Sequence, residues 1–178
     1  MKGNILANDP SMTAWGWVVI DWQGQVKDSG CIKTKPEAKK KRIRKGDDNV
    51  RRTGEIVYKL KTIIEKYDVN YLLTELPHGS QSYNGATMIG RTEGIMESIS
   101  QLLEIGIEWY SENDAKKFLF GKKAVSKQET IDKVRKIMGN DMLLWTKTQY
   151  INEAIADALA IYLVAKNQSS ALKLMRGQ

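Results

Sequence analysis

Residues 5–20, ILANDPSMTAWGWVVI, contain two apolar segments separated by a short polar break. Both segments are rich in residues that suit β-strands, and Pro10 and Ser11 interrupt them, so the pattern predicts a β-hairpin. One carboxylate, Asp9, stands at the end of the first segment. An Asp before Pro often does no more than cap a turn. At the end of a buried strand, however, an ionised Asp9 is costly to desolvate unless cations or hydrogen-bond donors face it.

The sequence around this hairpin alternates between strand and helix patterns. NILANDP, WGWVVIDW and VKDSGCIKT indicate three strands of an antiparallel meander, and VNYLLTELP and GIEWYS indicate two more strands separated by amphipathic helical segments. This order predicts an α/β fold with a mixed five-stranded sheet, made of the meander plus parallel strands, and with helices on both faces. We expect residues 1–178 to form a single domain.

Three further carboxylates lie in apolar elements. Glu75 stands at the end of the strand NYLLTELP, and Glu153 and Asp157 lie four residues apart in the segment INEAIADALAIYLVA. That spacing places both side chains on one face of a helix whose many alanines allow close packing on a sheet. Carboxylates brought together without a cation repel one another and become protonated. With Asp9, these residues therefore suggest a site for a divalent cation that prefers oxygen ligands.

The positive charge of the chain is concentrated in one segment. Residues 33–52, KTKPEAKKKRIRKGDDNVRR, contain ten Lys or Arg and three Asp or Glu. The local net charge is therefore +7, equal to the formal net charge of the whole chain. We interpret this basic segment as an insertion or loop. A solvated loop without a partner is one reading; sequence-independent contact with the phosphates of a nucleic acid is the reading we favour.

Composition also bears on the compartment. The N-terminus has no apolar signal region, no run approaches the length of a membrane span, and Cys31 is the single cysteine. These features favour a cytoplasmic protein with no membrane partner.

The ordered set of motifs resembles the RuvC-type Holliday junction resolvases of the RNase H-like nuclease superfamily. NDPSMTAWGW is similar to the first-strand Asp-Pro pattern followed by Gly and an aromatic, and Glu75 matches the acid that ends the fourth strand. In the next helix Ala86, Gly90 and Gly94 match a pattern of small residues, and ADALAIYL matches the last helix with its final Asp157. The likeness runs through nearly the whole chain and implies an RNase H-like fold.

The resemblance implies a catalytic site. Asp9, Glu75, Glu153 and Asp157 would be the metal ligands, holding two Mg²⁺ ions that Mn²⁺ can replace, and Lys116 and Lys127 match two catalytic basic residues near the scissile phosphate. The family has Asp or His three residues before the final Asp, whereas this chain has Ala154 there, so the fourth ligand is assigned to Glu153. Ser11 also replaces a Gly and Trp15 a residue that is commonly Thr.

Candidate DNA-binding residues follow from the charge pattern and the resemblance together. They are Lys39, Lys40, Lys41, Arg42, Arg44 and Lys45 in the basic segment, Lys122 and Lys123 in the lysine-rich stretch KKFLFGKKAVSK, and His78 and Tyr83 after the fourth strand. A surface loop histidine is the ordinary interpretation of His78, and Tyr83 could stack on a base in its place. The stripe of small residues at Ala86, Gly90 and Gly94 indicates either close packing on the sheet or, by the resemblance, a homodimer interface.

The function implied is a structure-selective endonuclease that resolves four-way DNA junctions by paired, metal-dependent nicks, in the cytoplasm of a bacterium or a phage-infected host. Two alternatives stay open. An RNase H-fold nuclease acting on forks, flaps or RNA–DNA hybrids would have the same metal site, and a non-catalytic junction-binding protein would bind DNA without cutting it.

Overall fold

The structure is a computed structural model that describes residues 3–37, 42–139 and 145–176. The strands are β1 (Asn4–Asp9), β2 (Ala14–Asp21), β3 (Val26–Lys33), β4 (Val69–Leu76) and β5 (Gly106–Ser111). The helices are α1 (Lys45–Lys66), α2 (Tyr83–Leu103), α3 (Glu112–Phe120), α4 (Lys127–Met138), α5 (Gln149–Gln168) and α6 (Ser170–Arg176). Within these ranges no helix is long and apolar enough to cross a membrane.

The five strands form one mixed sheet in the order β3-β2-β1-β4-β5. The hairpin predicted from residues 5–20 is present, with β1 and β2 antiparallel and Asp9 paired with Gly16. β3 continues the antiparallel meander, while β4 pairs with β1 and β5 pairs with β4 in parallel. The mixed sheet expected from the sequence is therefore confirmed.

Helices cover both faces of the sheet. Successive side chains of a strand point to opposite faces, and apolar side chains lie on both faces, so both need to be covered. On one face Ile5, Ala7 and Leu73 pack against α3, α4 and α5. On the other face Leu6 and Leu72 pack against α1 and α2. Within α5, Asn152 and the run from Ala154 to Ala156 are buried, and so is every residue from Ala158 to Ala165, as expected for a helix laid along the sheet.

Helix boundaries follow local signals. Ser111 caps α3 and Ser126 caps α4, each in a capping box with the acid three residues later, and Gly121 ends α3 in the left-handed conformation. The Ser-x-x-Asp pattern at Ser111 and the glycine at position 121 are visible in the sequence as start and end signals for this helix. The short helix α6 was not predicted.

The basic segment 33–52 differs from the predicted insertion or loop. Lys33 ends β3, and α1 begins at Lys45, so the last eight residues of the segment are helical. The helix starts earlier than the apolar spacing from Ile56 onward indicates, because its first turns are polar and hold Asp47 and Asp48, acids that suit a helix N-terminus.

Candidate active site

Asp9 and Glu75 reach the same place because of strand geometry. β1 and β4 are parallel neighbours, so their carboxyl ends meet at one edge of the sheet. The alternation of side chains puts Asp9 on the face of Ile5 and Ala7, and Glu75 on the face of Leu73. That face is the one covered by α5.

Helix α5 brings the remaining acids. It packs so tightly on β2 that a Cβ at Gly16 would overlap the backbone carbonyl of Ala154. Ala154 lies between Glu153 and Asp157 on the first turns of the helix, so this contact holds both acids close to the end of β1. The close packing predicted from the alanines of α5 is thus present at Ala154.

One open cleft of about 390 Å³ collects these side chains. It is lined by Asp9, Ser11, Ala14, Glu75, Glu112, Lys127, Tyr150, Glu153, Ala154 and Asp157. All four carboxylates assigned from the sequence therefore line the same cleft. Their roles as catalytic residues and metal ligands are taken up below as proposals.

The acids of the cleft affect one another strongly. Burial and the nearby Asp157 carboxylate raise the pKa of Asp9 to about 8. Burial and the charges of Asp9 and Asp157 raise the pKa of Glu75 to about 9. The pKa of Asp157 rises to about 6, since burial and the charge of Glu112 outweigh the opposing effect of Lys127. Such a cluster is stable as ions only when positive charge is supplied to it.

The donor set fits a hard divalent cation in kind, because every candidate ligand is a carboxylate oxygen. Among residues 3–37, 42–139 and 145–176, no three acidic, His or Cys side chains are arranged so that they could enclose a metal ion as they stand. The structure thus brings the acids to one cleft without forming a closed cage.

Two lysines form ion pairs with carboxylates that line the cleft. Lys127, at the start of α4, places its Nζ 3.1 Å from Glu153 Oε2. Lys116 in α3 places its Nζ 2.5 Å from Glu112 Oε1. Both lysines named from the sequence are therefore beside the cleft, and each is paired with an acid.

Glu112 was missed by the sequence interpretation. It follows the N-cap Ser111 directly after β5, which is parallel to β4, so its position at the carboxyl edge follows from the same geometry that places Glu75. Its Oε2 also lies 3.3 Å from His78 Nε2. The signal that could have found it is an acid directly after a parallel strand.

The candidate DNA-binding residues that the structure describes lie outside the cleft. Lys39, Lys40 and Lys41 lie outside the described residues. Arg42, Arg44, Lys45, Lys122, Lys123, His78 and Tyr83 are exposed, and none of these seven lines the cleft. The Lys45 Nζ donates a hydrogen bond to Asn84 Oδ1 at 2.6 Å, which joins the end of the basic segment to the start of α2. Tyr83, beside Asn84, is 85% exposed.

Two cations of the basic segment have structural roles. Arg52 is buried and donates from Nη2 to the Met12 carbonyl at 2.6 Å and from Nε to Thr34 Oγ1 at 2.7 Å. Arg51 pairs with the buried Asp48 at 2.8 Å. Arg52 therefore fixes the loop that follows Asp9, and the segment's surplus charge is not all available to a polyanion.

Known proteins with the same architecture include two bacterial structures and one from yeast mitochondria. Thermus thermophilus RuvC in complex with a Holliday junction substrate aligns with a TM-score of 0.69 at 19% identity, over 99% of this chain and 97% of that one. Another structure of Thermus thermophilus RuvC gives a TM-score of 0.68 at 20% identity, over 98% and 96%. The yeast mitochondrial Holliday junction resolvase Ydc2 gives 0.61 at 10% identity, over 98% and 84%. These likenesses establish the shared fold.

Sequence comparison gives the family. No curated protein matches the chain significantly. The family described as "Crossover junction endodeoxyribonuclease RuvC" matches residues 5–165. This range runs from β1 to near the end of α5 and includes all four carboxylates. The chain therefore belongs to the RuvC family of crossover junction endodeoxyribonucleases, a divalent-metal-dependent family of DNA-cutting enzymes with an RNase H-like fold.

Proposed function

We propose that this protein resolves four-way DNA junctions by paired nicks made at the acidic cleft. The observation that carries the proposal is the convergence of Asp9, Glu75 and Asp157, from β1, β4 and α5, on one cleft. There burial and the charge of Asp157 raise the pKa of Asp9, and burial with the charges of Asp9 and Asp157 raises the pKa of Glu75. Carboxylates gathered in this way disfavour their own ionised state. The ionised cluster is therefore stable only when a bound ligand supplies positive charge.

The ligand that suits the cleft is Mg²⁺, with Mn²⁺ as a substitute, because the donors are all carboxylates. Asp9, Glu75 and Asp157 would hold the metal, with Glu153 as the fourth acid, and we propose two ions per site. When bound, such ions supply an activated water and stabilise the leaving oxygen during in-line displacement at phosphorus.

The lysines provide the remaining electrostatic contribution. Lys127 is next to Glu153, and its charge lowers the pKa of both Asp9 and Asp157. An ammonium group in this position offsets the extra negative charge that develops on the phosphate. Lys116 in α3 pairs with Glu112, which lines the cleft, and lowers the pKa of Glu75, so we assign it the same role.

Glu153 has two possible contributions, as a ligand and as the anchor of Lys127. Its Oε1 accepts a hydrogen bond from Gln149 Nε2 at 3.4 Å, and its Oε2 faces Lys127 Nζ. Glu153→Gln keeps the hydrogen-bonding shape and removes the charge. Loss of cleavage that high Mn²⁺ concentration partly restores is the result expected of a ligand, and full activity at low metal would remove Glu153 from the set.

A homodimer matches the near two-fold symmetry of a four-way junction. The small-residue stripe on α2 supports this arrangement. A Cβ added at Gly90 or Gly94 would meet no atom within 4 Å, so in the described part of the chain neither residue is packed against the protein's own sheet. We assign this face of α2 to a second copy. We also propose that the protein acts in the cytoplasm of a bacterium or a phage-infected cell.

A cleavage assay on a panel of end-labelled substrates tests the proposal. The panel contains a four-way junction, a fork, a flap, a linear duplex and an RNA–DNA hybrid, each incubated with Mg²⁺. We expect symmetric nicks in the junction at rates well above those for the other substrates. Preferential cutting of forks, flaps or hybrids would contradict the junction assignment, and tight junction binding without any cutting would indicate a non-catalytic binding protein.

A further inference from the structure

The rim of the cleft carries one lysine, the first residue of the basic segment, that is not among the individual DNA-binding residues named from the sequence. Lys33 ends β3 and pairs in register with Ala14, which lines the cleft. Its Nζ lies 4.6 Å from the centroid of the Tyr150 ring, and Tyr150 lines the cleft from the first turn of α5. Strand register thus places the Lys33 backbone beside the cleft, and the ring contact places its ammonium group at the cleft mouth.

The contacts of Lys33 differ from those of the other two lysines near the cleft. Lys116 and Lys127 are each paired with a carboxylate. Within the ranges that the structure describes, Lys33 forms no ion pair, and its contact is with an aromatic face. A ring face orients an ammonium group through its quadrupole without neutralising its charge. Lys33 is therefore held in position while its full charge remains available.

An anionic substrate needs such a group at this point. The cleft interior is dominated by carboxylates, which repel the phosphates of an approaching strand. We propose that Lys33, oriented by the Tyr150 ring, binds a backbone phosphate of the DNA strand that enters the cleft, with Tyr150 as its positioning residue. This inference rests on the proposed function, since it requires that DNA be the substrate.

Binding of a synthetic four-way junction in the Asp9→Asn background tests the inference without interference from cleavage. Affinity is measured over a range of salt concentrations for Lys33→Gln, Tyr150→Leu and the double variant. Loss of one phosphate contact makes the slope of log K against log salt shallower by about 0.9 on duplex DNA. We expect about this change for Lys33→Gln, a smaller change of the same kind for Tyr150→Leu, and a double variant that is no weaker than Lys33→Gln alone.

Two matched variants separate the proposed roles from general damage. Tyr150→Phe keeps the ring and should bind as the parent does. Lys35→Gln removes an exposed lysine of the same segment, two residues beyond the end of β3, and should change the salt slope less than Lys33→Gln does. Because Lys33 is exposed at a strand end, its variant tests the phosphate contact even if Tyr150→Leu folds poorly.

The contrary results are distinct. Additive losses in the double variant would mean that Tyr150 contacts DNA by itself, and an unchanged slope for Lys33→Gln would remove the phosphate contact; either result overturns the inference while leaving the proposed function intact. If the Asp9→Asn protein without further changes binds no four-way junction, the Lys33 contact and the proposed function are both overturned.

Discussion

The backbone carbonyl of Ala154 lies directly against Gly16, with no room between them for a side-chain carbon. Gly16 is the register partner of Asp9, and Ala154 is three residues before Asp157. This one contact between a strand and a helix therefore sets how closely the carboxylates of β1 and α5 approach each other. Because Gly has no Cβ, it is the residue that permits such an approach of two backbones.

We expect Gly16→Ala to lower the free energy of unfolding by about 1–3 kcal/mol, as overpacking does, and to reduce cleavage because α5 must move away from Asp9. Thermal unfolding and single-turnover cleavage measure the two effects. Gly54→Ala is the control, since Gly54 is in α1 with open space where its Cβ would lie, and there Ala should stabilise the protein by about 0.5–1 kcal/mol. Equal behaviour of the two variants would show that the close contact is not important.

Arg52 gives a second prediction, which concerns the loop after Asp9. Its guanidinium is buried and bonded to the Met12 carbonyl and Thr34 Oγ1. Arg52→Met keeps much of the volume but leaves the Met12 carbonyl with fewer donors. We expect a loss of about 2–4 kcal/mol in the free energy of unfolding and no change in the salt slope of junction binding.

The control for Arg52 is Arg44→Ala, which removes an exposed pair with Asp47. A loss below about 1 kcal/mol is expected there. A shallower salt slope for Arg52→Met, with stability retained, would place Arg52 in the DNA-binding surface instead.

The sequence predicts most of this arrangement because its signals are local. Alternating apolar residues identify the strands, Ser111 and Asp114 mark the start of α3, and a carboxylate at a strand end is visible in the printed letters. Asp9, Glu75 and Asp157 could therefore be grouped before the topology was known. The structure explains the grouping, because β1 and β4 are parallel neighbours whose carboxyl ends meet at one edge of the sheet.

Other features depend on contacts that no local pattern encodes. The role of Arg52 cannot be read from a run of cations, because its burial depends on how α1 packs against the β1–β2 loop. Glu112 and the Lys33–Tyr150 contact likewise bring together residues from separate elements, one at the end of β5 and the others at the ends of β3 and α5.

The raised pKa values give a third prediction, about the stability of the metal-free protein. A carboxyl whose pKa is higher in the folded than in the unfolded state stabilises the fold below its unfolded pKa of about 4, and that contribution is lost as pH rises through the folded value. For Asp9 and Glu75 the folded values are about 8 and about 9. With a chelator present, the melting temperature should therefore fall as pH rises from about 5 to about 9.

Asp9→Asn removes one of the repelling charges, so its melting temperature should decline less steeply and exceed that of the wild type near pH 8 in chelator, by about 2–4 °C for each kcal/mol of repulsion relieved. Added Mn²⁺ should raise the wild-type value more than that of the variant. Parallel pH profiles for the two proteins would contradict the coupling between these acids.

The basic run at residues 39–42 gives the fourth prediction. Replacing Lys39, Lys40, Lys41 and Arg42 with Ala should weaken DNA binding regardless of sequence, and the slope of log K against log salt should become shallower by about 3–4 if all four contact phosphates. Cleavage at saturating DNA should persist, because the cleft residues are unchanged. An unchanged salt slope would assign the run to a solvated loop.

We propose that binding and cleavage reside in different residues, with Asp9, Glu75 and Asp157 responsible for cleavage. Single-turnover cleavage and junction binding are measured side by side for Asp9→Asn, Glu75→Gln and Asp157→Asn in Mg²⁺, with Asp132→Asn as a control at an acid of α4 that lies outside the cleft. Each of the three cleft variants should lose cleavage by at least about 10³-fold, on the scale of other losses of transition-state charge stabilisation. Junction affinity should stay within about tenfold of the wild type, and Asp132→Asn should cleave normally. Robust cleavage by any one of the three would contradict the site as described.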